Sequence, residues 1–344
     1  MNTELLSTHT PELFARAVQR AAALLRAGEV VALPTETVYG LAANAWDGRA
    51  VARIFQIKGR PAHNPIIVHA ASAALARECV STWPELAEQM ARAFWPGPLT
   101  LVLPRAEKIP PVVAAEGPTV GIRWPSHPFM QAVIRECGFP LAAPSANLSN
   151  QISPTNAEHV REQLAGRIPL IVDGGQSQVG IESTVLDLTV TPARILRPGM
   201  IHAESLAAAG LPLAAGELPP AAGRLKSPGQ LQKHYAPKAR LLVLRWRDDA
   251  DLQAQIARWA PVQAVHVVTH TRIPAGFNAA NVSVIPHDAE AFARALYGEL
   301  HRCDAAGARL IVICVGGIRY PEFFIAARTR SRLSRTAASG KPTV

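Results

Sequence analysis

Short apolar runs alternate with helical patterns along most of this chain, and that alternation constrains the fold more than any other feature. A first helix is predicted from Thr10-Pro11, with threonine as N-cap and proline in the first turn, to Gly28. Strand-like runs follow, namely EVVALP, NPIIVHA, LTLVLP, TVGIRWP, FPLAAPS, IPLIVDGG and STVLDLTV/ARILRPG. Helical patterns lie near 48–57, 72–80, 84–94, 127–137 and 156–165. The pattern predicts an α/β domain with a mixed, twisted sheet, because some strands follow one another through tight turns.

A Pro/Ala/Gly-rich run, LPLAAGELPPAAG, interrupts the alternation and is typical of a linker. A second alternating unit follows it, from ARLLVLRW to ARLIVICVG and a final helix. This unit resembles a small doubly wound, Rossmann-like sheet. We therefore predict a first domain over 1–210, a linker over 211–239 and a small C-terminal α/β domain over 240–344.

The composition is that of a packed cytoplasmic protein. Only 18% of the 344 residues are charged, and no apolar run approaches the roughly 20 residues that span a bilayer. MNTELLSTHTPELF lacks the apolar segment of a signal peptide. The four cysteines form no CxxC pair, so we expect reduced core thiols.

The formal net charge of +9 lies in the second part of the chain. Residues 1–210 carry 17 basic and 17 acidic side chains, whereas residues 211–344 carry 18 and 9. Two interpretations remain open: contact with nucleic acid or a polyphosphate, or a solvated surface rich in arginine.

Several familiar chemistries leave no motif in the sequence. GxxxxGK[ST], GxGxxG after a strand, GxSxG and zinc-ligand spacing are all missing. Polar residues instead follow strand and helix ends beside prolines, in PTETVYG, KGRP, GIRWP, APSANLS, IESTVLD and ILRPG. Loops at sheet ends are where α/β proteins build sites.

Each of these residues also has a purely structural interpretation. Lys58 and Arg60 could satisfy helix carbonyls, Ser145 and Asn147 could cap a turn, and the arginines could pair with surface carboxylates. Taken together, four cations beside Ser, Thr and Asn in a domain without net charge suit several bound anionic groups. That inventory favours catalysis by positioning and charge neutralisation, as in phosphoryl or nucleotidyl transfer.

The chain resembles the YrdC/YciO family. KGR at 58–60 and SAN at 145–147 are similar to its KxR…SxN signature, and PTETVYGLAANA, WPGPLTLVLP, VGIRWPSHP and ESTVLDLT resemble further blocks in the same order. SPGQLQKHYAP resembles the linker of the long, two-domain threonylcarbamoyl-AMP synthases. The resemblance implies an enzyme, a nucleotidyltransferase, that makes L-threonylcarbamoyl-AMP from L-threonine, bicarbonate and ATP and releases pyrophosphate. The product would feed threonylcarbamoyladenosine modification of tRNA through downstream threonylcarbamoyl-transferase proteins, with possible tRNA contact.

The resemblance also implies roles for individual residues. The expected threonine-binding residues are Thr35, His69, Arg123 and Ser183, with Arg123 suited to a carboxylate. The expected ATP-binding residues are Lys58, Arg60, Asn64, Thr119, Ser145, Asn147, Ser153, Arg197, His234 and Tyr235. Lys58, Arg60, Ser145 and Asn147 are the expected catalytic residues. Mg²⁺ is expected with ATP on the phosphates, and no protein-borne metal site is expected.

The linker has two interpretations. In the family it folds over the mouth of the catalytic domain, which implies a lid carrying His234 and Tyr235; alternatively Tyr235 staples the domains together. Ile318-Arg319-Tyr320-Pro321 departs from the family's Gly-rich turn. Two other functions remain open. One is an RNA-binding module without adenylate synthesis. The other is a carbamoyl-transfer domain of the hydrogenase-maturation type, which normally adjoins acylphosphatase and zinc-finger segments that this sequence does not show.

Overall fold

The computed structural model describes residues 2–214, 225–228, 236–270 and 272–314. Predictions for His234, Tyr235, the turn at 318–321 and the final helix lie outside these residues. Within them, strands and helices alternate as the sequence predicts, in two separate sheets.

The first sheet has ten strands and mixed direction, in the order β1-β8-β2-β3-β7-β4-β6-β5-β9-β10. Parallel pairs such as β4–β6 and β5–β9 alternate with antiparallel pairs such as β5–β6 and β9–β10. The strands are β1 Glu4–Ser7, β2 Val31–Leu33, β3 Gly40–Asn44, β4 Val68–His69, β5 Leu99–Pro104, β6 Thr119–Arg123, β7 Leu141–Ala142, β8 Leu170–Asp173, β9 Thr184–Asp187 and β10 Arg194–Arg197.

Helices cover both faces of this sheet. They are α1 Pro11–Arg26, α2 Gly48–Lys58, α3 Ala73–Arg77, α4 Glu85–Phe94, α5 Pro128–Cys137, α6 Ala157–Leu164 and α7 Ala203–Ala208. Side chains of β2 alternate between two core clusters: Val31 and Leu33 pack with α1 and α5, whereas Ala32 faces the cluster of α2 and α4. That alternation is the period of a strand buried on both faces.

The ends of α1 and α2 follow from local chemistry. Thr10 accepts a hydrogen bond from Leu13 N with its side chain, and Pro11 opens α1, as predicted. Gly59 ends α2 at a φ of 61°, a left-handed conformation that favours glycine. The chain turns there, so Lys58 and Arg60 on either side of Gly59 are both buried.

The second sheet is parallel and has four strands in the order β11-β14-β12-β13. Its elements are β11 Arg240–Leu244, α8 Asp249–Ala257, β12 Val265–Thr269, β13 Val282–Val284, α9 Ala289–Ala305 and β14 Leu310–Cys314. The predicted α/β class, with a mixed sheet followed by a smaller parallel one, is confirmed.

The two units share a core. Val38, Ile152 and Ile181 of the first unit belong to the same buried cluster as Phe292 and Leu296 of α9. A buried apolar cluster excludes water from the contact, which stabilises the packing of one unit on the other. Helix α9 therefore lies directly against the first unit.

Two strands of the first sheet were not predicted. Strand β1 pairs in parallel with β8, and β3 follows the PTETVY turn. All four cysteines are buried free thiols, in agreement with the sequence. Among the described residues, no helix has both the length and the apolar character to cross a bilayer.

Candidate active site

A single cavity in the first unit gathers many of the predicted site residues. Its wall includes seven of them: Thr35, Arg60, His69, Arg123, Ser145, Ser183 and Arg197. All four predicted threonine-binding residues are in this set. The same wall contains Glu182 and Pro228, which the sequence argument did not select.

Sheet topology brings these residues together. His69 and Arg123 are register partners at the carboxyl ends of the parallel strands β4 and β6. Ser183 directly precedes β9, and Arg197 ends the neighbouring β10 after a register shift. Such irregularities re-aim a side chain, and here Arg197 points back to Ser183.

An isolated β-bridge joins two further loops that line the cavity. Gly40 pairs with Ser145, which brings the Thr35–Tyr39 turn next to the loop that follows β7. Thr35 stabilises its own turn: its hydroxyl donates to Val38 O at 2.6 Å and accepts from Thr37 N at 3.2 Å. The turn is therefore pre-organised without a ligand.

Arg123 is the buried cation among the predicted threonine-binding residues. Its Nη1 donates to Thr37 Oγ1 at 2.8 Å and its Nε to Gly97 O at 3.1 Å. Its Nη2 lies 2.6 Å from Glu36 Oε1, and both side chains are 4% exposed. Glu36 therefore engages Nη2, and the guanidinium group is held at the cavity wall by three partners. A planar guanidinium fixed in this way is suited to a ligand carboxylate.

The ion pair fixes the charge state of Glu36. Burial by itself would raise the pKa of Glu36, but the Arg123 charge and the hydrogen bond from Ser126 N hold it below its usual value. Glu36 is thus an anion that holds Arg123 in place. Removing either partner would leave an uncompensated buried charge.

His69 is neutral in this cavity. Burial, reinforced by the Arg123 charge, lowers the pKa of His69 to about 3. Its Nδ1 is buried and has no hydrogen-bond partner among the described residues. A neutral imidazole with one unused nitrogen can accept a hydrogen bond from an ammonium or hydroxyl group of a ligand.

Ser183 and Arg197 are joined by hydrogen bonds. Arg197 donates to Ser183 O through Nε at 3.0 Å and through Nη2 at 2.8 Å, and Nη2 also reaches Ser183 Oγ. The Ser183 hydroxyl is hydrogen-bonded to Thr100 Oγ1 at 2.8 Å. Arg197 therefore both brings positive charge to the cavity and fixes the position of Ser183.

The KxR and SxN residues form one buried network. Lys58 Nζ donates to Ser145 O, Asn147 O and Asn147 Oδ1, so all three of its protons have acceptors in the protein. Burial, with the nearby Arg60 charge, lowers the pKa of Lys58 well below its usual value. Neither Lys58 nor Asn147 lines the cavity; they hold the loop that presents Ser145.

Arg60 lines the cavity and is braced by carbonyls. Its Nε donates to Asn64 O at 3.0 Å and its Nη2 to Pro65 O at 2.6 Å. Asn64 is fully buried and supports Arg60 through its backbone. The alternative that Arg123 and Arg197 pair with surface carboxylates does not describe them, since both are buried. The carbonyls that Arg60 binds lie beyond the end of α2, not within its last turn.

Four other predicted residues are not among the described residues that line the cavity. Ser153 is fully buried behind the wall and donates its hydroxyl to Glu182 Oε1 at 2.5 Å. Thr119 begins β6, at the opposite end of the strand from Arg123, and does not line the cavity. His234 and Tyr235 lie outside the described residues.

Glu182 is the functional candidate that sequence reasoning missed. It is 7% exposed and lines the cavity directly before Ser183. The available signal was an acidic residue in an otherwise apolar and hydroxyl-bearing block, IESTVLD. Among the described residues, no group of three or more His, Cys, Asp or Glu side chains could hold a metal ion.

Two family models match the chain. One, described as "Telomere recombination" and covering Sua5, YciO and YrdC proteins, matches residues 23–199. The other, described as "Threonylcarbamoyl-AMP synthase, C-terminal domain", matches residues 201–338.

Similar proteins cover most of the chain. The threonylcarbamoyl-AMP synthase of Pyrococcus abyssi is 40% identical over 92% of this chain and 93% of its own. That of Bacillus subtilis is 47% identical over 70% of this chain and 69% of its own. The crystal structure of P. abyssi Sua5 complexed with L-threonine superposes with a TM-score of 0.83 at 36% identity, over 95% of both chains.

Fold and cavity together define an enzyme class: a mixed α/β catalytic unit of the Sua5/YciO/YrdC type, joined to a small parallel-sheet unit. Both family models and the full-length similarity then narrow the class. The chain belongs to the threonylcarbamoyl-AMP synthase family.

Proposed function

We propose that this enzyme synthesises L-threonylcarbamoyl-AMP from L-threonine, bicarbonate and ATP and releases pyrophosphate, as the first step of tRNA threonylcarbamoyladenosine modification. The observation that carries the proposal is the cavity wall, where the fixed Arg123 guanidinium lies beside neutral His69, and Arg60 and Arg197 supply further charge. These groups match an amino-acid carboxylate, its ammonium group and a set of phosphates.

The threonine amine adds to the carbon of CO₂ derived from bicarbonate, loses a proton and becomes a carbamate. A carbamate oxygen then attacks the α-phosphorus of ATP, and the bond to the β-phosphate oxygen breaks to release pyrophosphate. Arg60 and Arg197 are suited to neutralise phosphate charge, since both are buried cations held rigidly by carbonyl groups. No covalent enzyme intermediate is required.

Mg²⁺ enters as part of the substrate MgATP. Mg²⁺ that binds together with a nucleotide takes phosphate oxygens and several waters as its main ligands. The chain contributes position and charge around the phosphates.

Lys58, Asn64, Asn147 and Ser153 support this chemistry from behind the cavity wall. Their hydrogen bonds hold Arg60, the Ser145 loop and Glu182. A direct ATP contact by Thr119, His234 or Tyr235 remains a prediction, as does a linker lid. Pro228 lines the cavity and Ala236 N bonds Asn150 O, so the described residues on either side of the 229–235 segment both lie against the first unit.

RNA binding is the weaker candidate for the main function. Most of the sequence blocks that carry the resemblance lie in residues 1–210, which have no net charge. Three described arginines of the second unit make local contacts: Arg247 pairs with Asp251, Arg302 with Glu299, and Arg240 stacks on Trp259. Direct tRNA contact, the downstream transferase partners and a cytoplasmic location stay predictions.

The substitution Arg123→Lys tests the assignment of the threonine half. Lysine keeps the charge opposite Glu36 but lacks the forked geometry, so the KM for threonine should rise roughly 10- to 100-fold while the KM for ATP changes little. Pyrophosphate release at varied threonine concentration is the measurement. Arg161→Ala is the control, because Arg161 is a surface residue with 57% side-chain exposure. An unchanged KM for threonine in Arg123→Lys would remove Arg123 from the site.

A further inference from the structure

Helix α9 of the second unit reaches the cavity wall at one carboxylate, Glu182. Glu182 Oε2 accepts a hydrogen bond from the Tyr297 hydroxyl at 2.6 Å, and Oε1 accepts one from the Ser153 hydroxyl at 2.5 Å. Tyr297 is 3% exposed and Ser153 is fully buried. Each oxygen of this cavity-lining carboxylate is therefore bonded from a different unit of the molecule.

These hydroxyl groups have a large effect because Glu182 forms no ion pair within the described part of the chain. Among the described residues, no Lys, Arg or His forms an ion pair with Glu182, although Arg60 and Arg197 line the same cavity. A buried carboxylate must be hydrogen-bonded, and bonds to a charged acceptor are stronger than those between neutral groups. Two fixed hydroxyl donors thus set where Glu182 lies.

Helix α9 also holds the segment that leads to Glu182. Arg294 Nε donates to Gln178 O at 2.6 Å. Gly180, with a φ of 75°, lies so close that a Cβ atom there would come within 2.5 Å of Arg294 Cα. The segment 178–182 therefore lies between α9 and the cavity.

From this segment, hydrogen bonds lead to the predicted threonine-binding residues. Val179 N donates to Glu36 O at 2.7 Å and Gly180 N to Thr37 O at 3.1 Å. Thr37 and Glu36 in turn hold Arg123. Ser183 follows Glu182 directly in the chain, so a displacement of Glu182 moves both sides of the cavity.

We propose that Tyr297 is a positioning residue for the cavity: its hydroxyl group, supplied by the second unit, fixes Glu182 and through it the threonine-binding half. The C-terminal unit then completes the substrate site with one side chain that never touches substrate. The choice of threonine as ligand rests on the proposed function.

The test is Tyr297→Phe in the full chain, with L-threonine binding measured by calorimetry in the absence of ATP. Phenylalanine fills the same space and removes only the donor. The dissociation constant for threonine should rise about 3- to 10-fold, and the KM for threonine should rise by a similar factor while kcat stays within about twofold.

Cys303→Ala is the matched control. Cys303 lies on α9 in the same buried cluster but is not bonded to Glu182. It should lower the melting temperature and leave threonine affinity within about twofold of wild type. A second control places Tyr297→Phe in a Glu182→Gln background. If Tyr297 acts through the carboxylate, the two effects on affinity should be non-additive.

The outcomes separate this inference from the proposed function. Equal threonine affinity for wild type and Tyr297→Phe would overturn the inference whatever the pyrophosphate assay shows. Equal losses in Tyr297→Phe and Cys303→Ala would also overturn it, since a merely structural role predicts that result. A wild type that binds threonine but releases no pyrophosphate would overturn only the proposed function. A wild type that binds no threonine would overturn both.

Discussion

Lys58 shows how burial changes the meaning of a signature residue. The KxR pattern suggests a cation aimed at phosphate, yet the Lys58 ammonium group is surrounded by carbonyl oxygens of the Ser145–Asn147 loop. Asn147 is likewise occupied, with Oδ1 accepting from Ser145 and Nδ2 donating to Gln151 O. At the residue scale, then, half of the signature builds the loop and the other half, Arg60 and Ser145, lines the cavity.

Replacing Lys58 by methionine should therefore affect stability as well as activity. Lys58→Met keeps the apolar length but removes the ammonium donor from this loop. Ser145 O keeps its hydrogen bond from Asn147 N, whereas Asn147 O loses its donor, which should lower the free energy of unfolding by about 1–3 kcal/mol. Urea denaturation is the measurement, and Lys238→Met is the control, because the Lys238 side chain is exposed and makes no ion pair or hydrogen bond within the described part of the chain. Roughly 0.5 kcal/mol or less is expected for it. A Lys58→Met protein as stable as wild type would show that Lys58 does not hold this loop.

The neutral state of His69 makes stability depend on pH. Its pKa is about 3 in the folded chain, below the value of 6.5 expected when unfolded, so below pH 6.5 the unfolded state binds a proton that the folded state does not. Stability should fall on acidification, by about 2 kcal/mol at pH 5 from this residue.

Unfolding curves at pH 7.5 and pH 5 measure this effect. His69→Gln cannot take up the proton, so it should lose less stability over this interval than wild type, by about the same 2 kcal/mol. Identical pH dependence in both proteins would contradict a neutral buried imidazole.

At the scale of elements, the site depends on how closely backbone segments approach. Gly199, two residues after β10 ends, lies against the segment before β9: a Cβ atom there would come within 2.4 Å of Thr184 N and 2.6 Å of Glu182 O. Both neighbours are backbone atoms, so no side-chain rotation relieves the contact. Only glycine at position 199 lets the chain after β10 pack this closely against the segment that carries Ser183.

Gly199→Ala should push this segment toward the cavity. We expect a loss of about 1–3 kcal/mol in stability together with weaker threonine binding. Gly298→Ala is the control: this glycine lies within α9, has nothing within 4 Å of the added Cβ, and alanine is the better helix former. Gly298→Ala should be neutral or stabilising by up to about 1 kcal/mol. Thermal unfolding and calorimetry with threonine distinguish the pair, and unchanged behaviour of Gly199→Ala would contradict the close packing.

At the scale of the whole molecule, the sequence predicts the elements better than their partners. Local signals such as Thr10-Pro11 and the Gly59 helix end act within a few residues, and the sequence predicts the helices that they bound. Strand β1 was missed because ELLS is short and its partner β8 lies far along the chain. The hydrogen bond between Tyr297 and Glu182 joins residues 115 positions apart in the sequence, so no local sequence pattern indicates it. The same limit applies to Lys58, whose acceptors lie 87 and 89 residues away.

The cavity combines rigid cations from several strands, a neutral histidine, and a carboxylate held from the second unit. The proposed role of these groups is to combine threonine, bicarbonate and ATP. The most direct measurement is pyrophosphate release by the full chain with MgATP, with each substrate omitted in turn. Release is expected only when threonine and bicarbonate are both present. Equal release without threonine would contradict the proposed function.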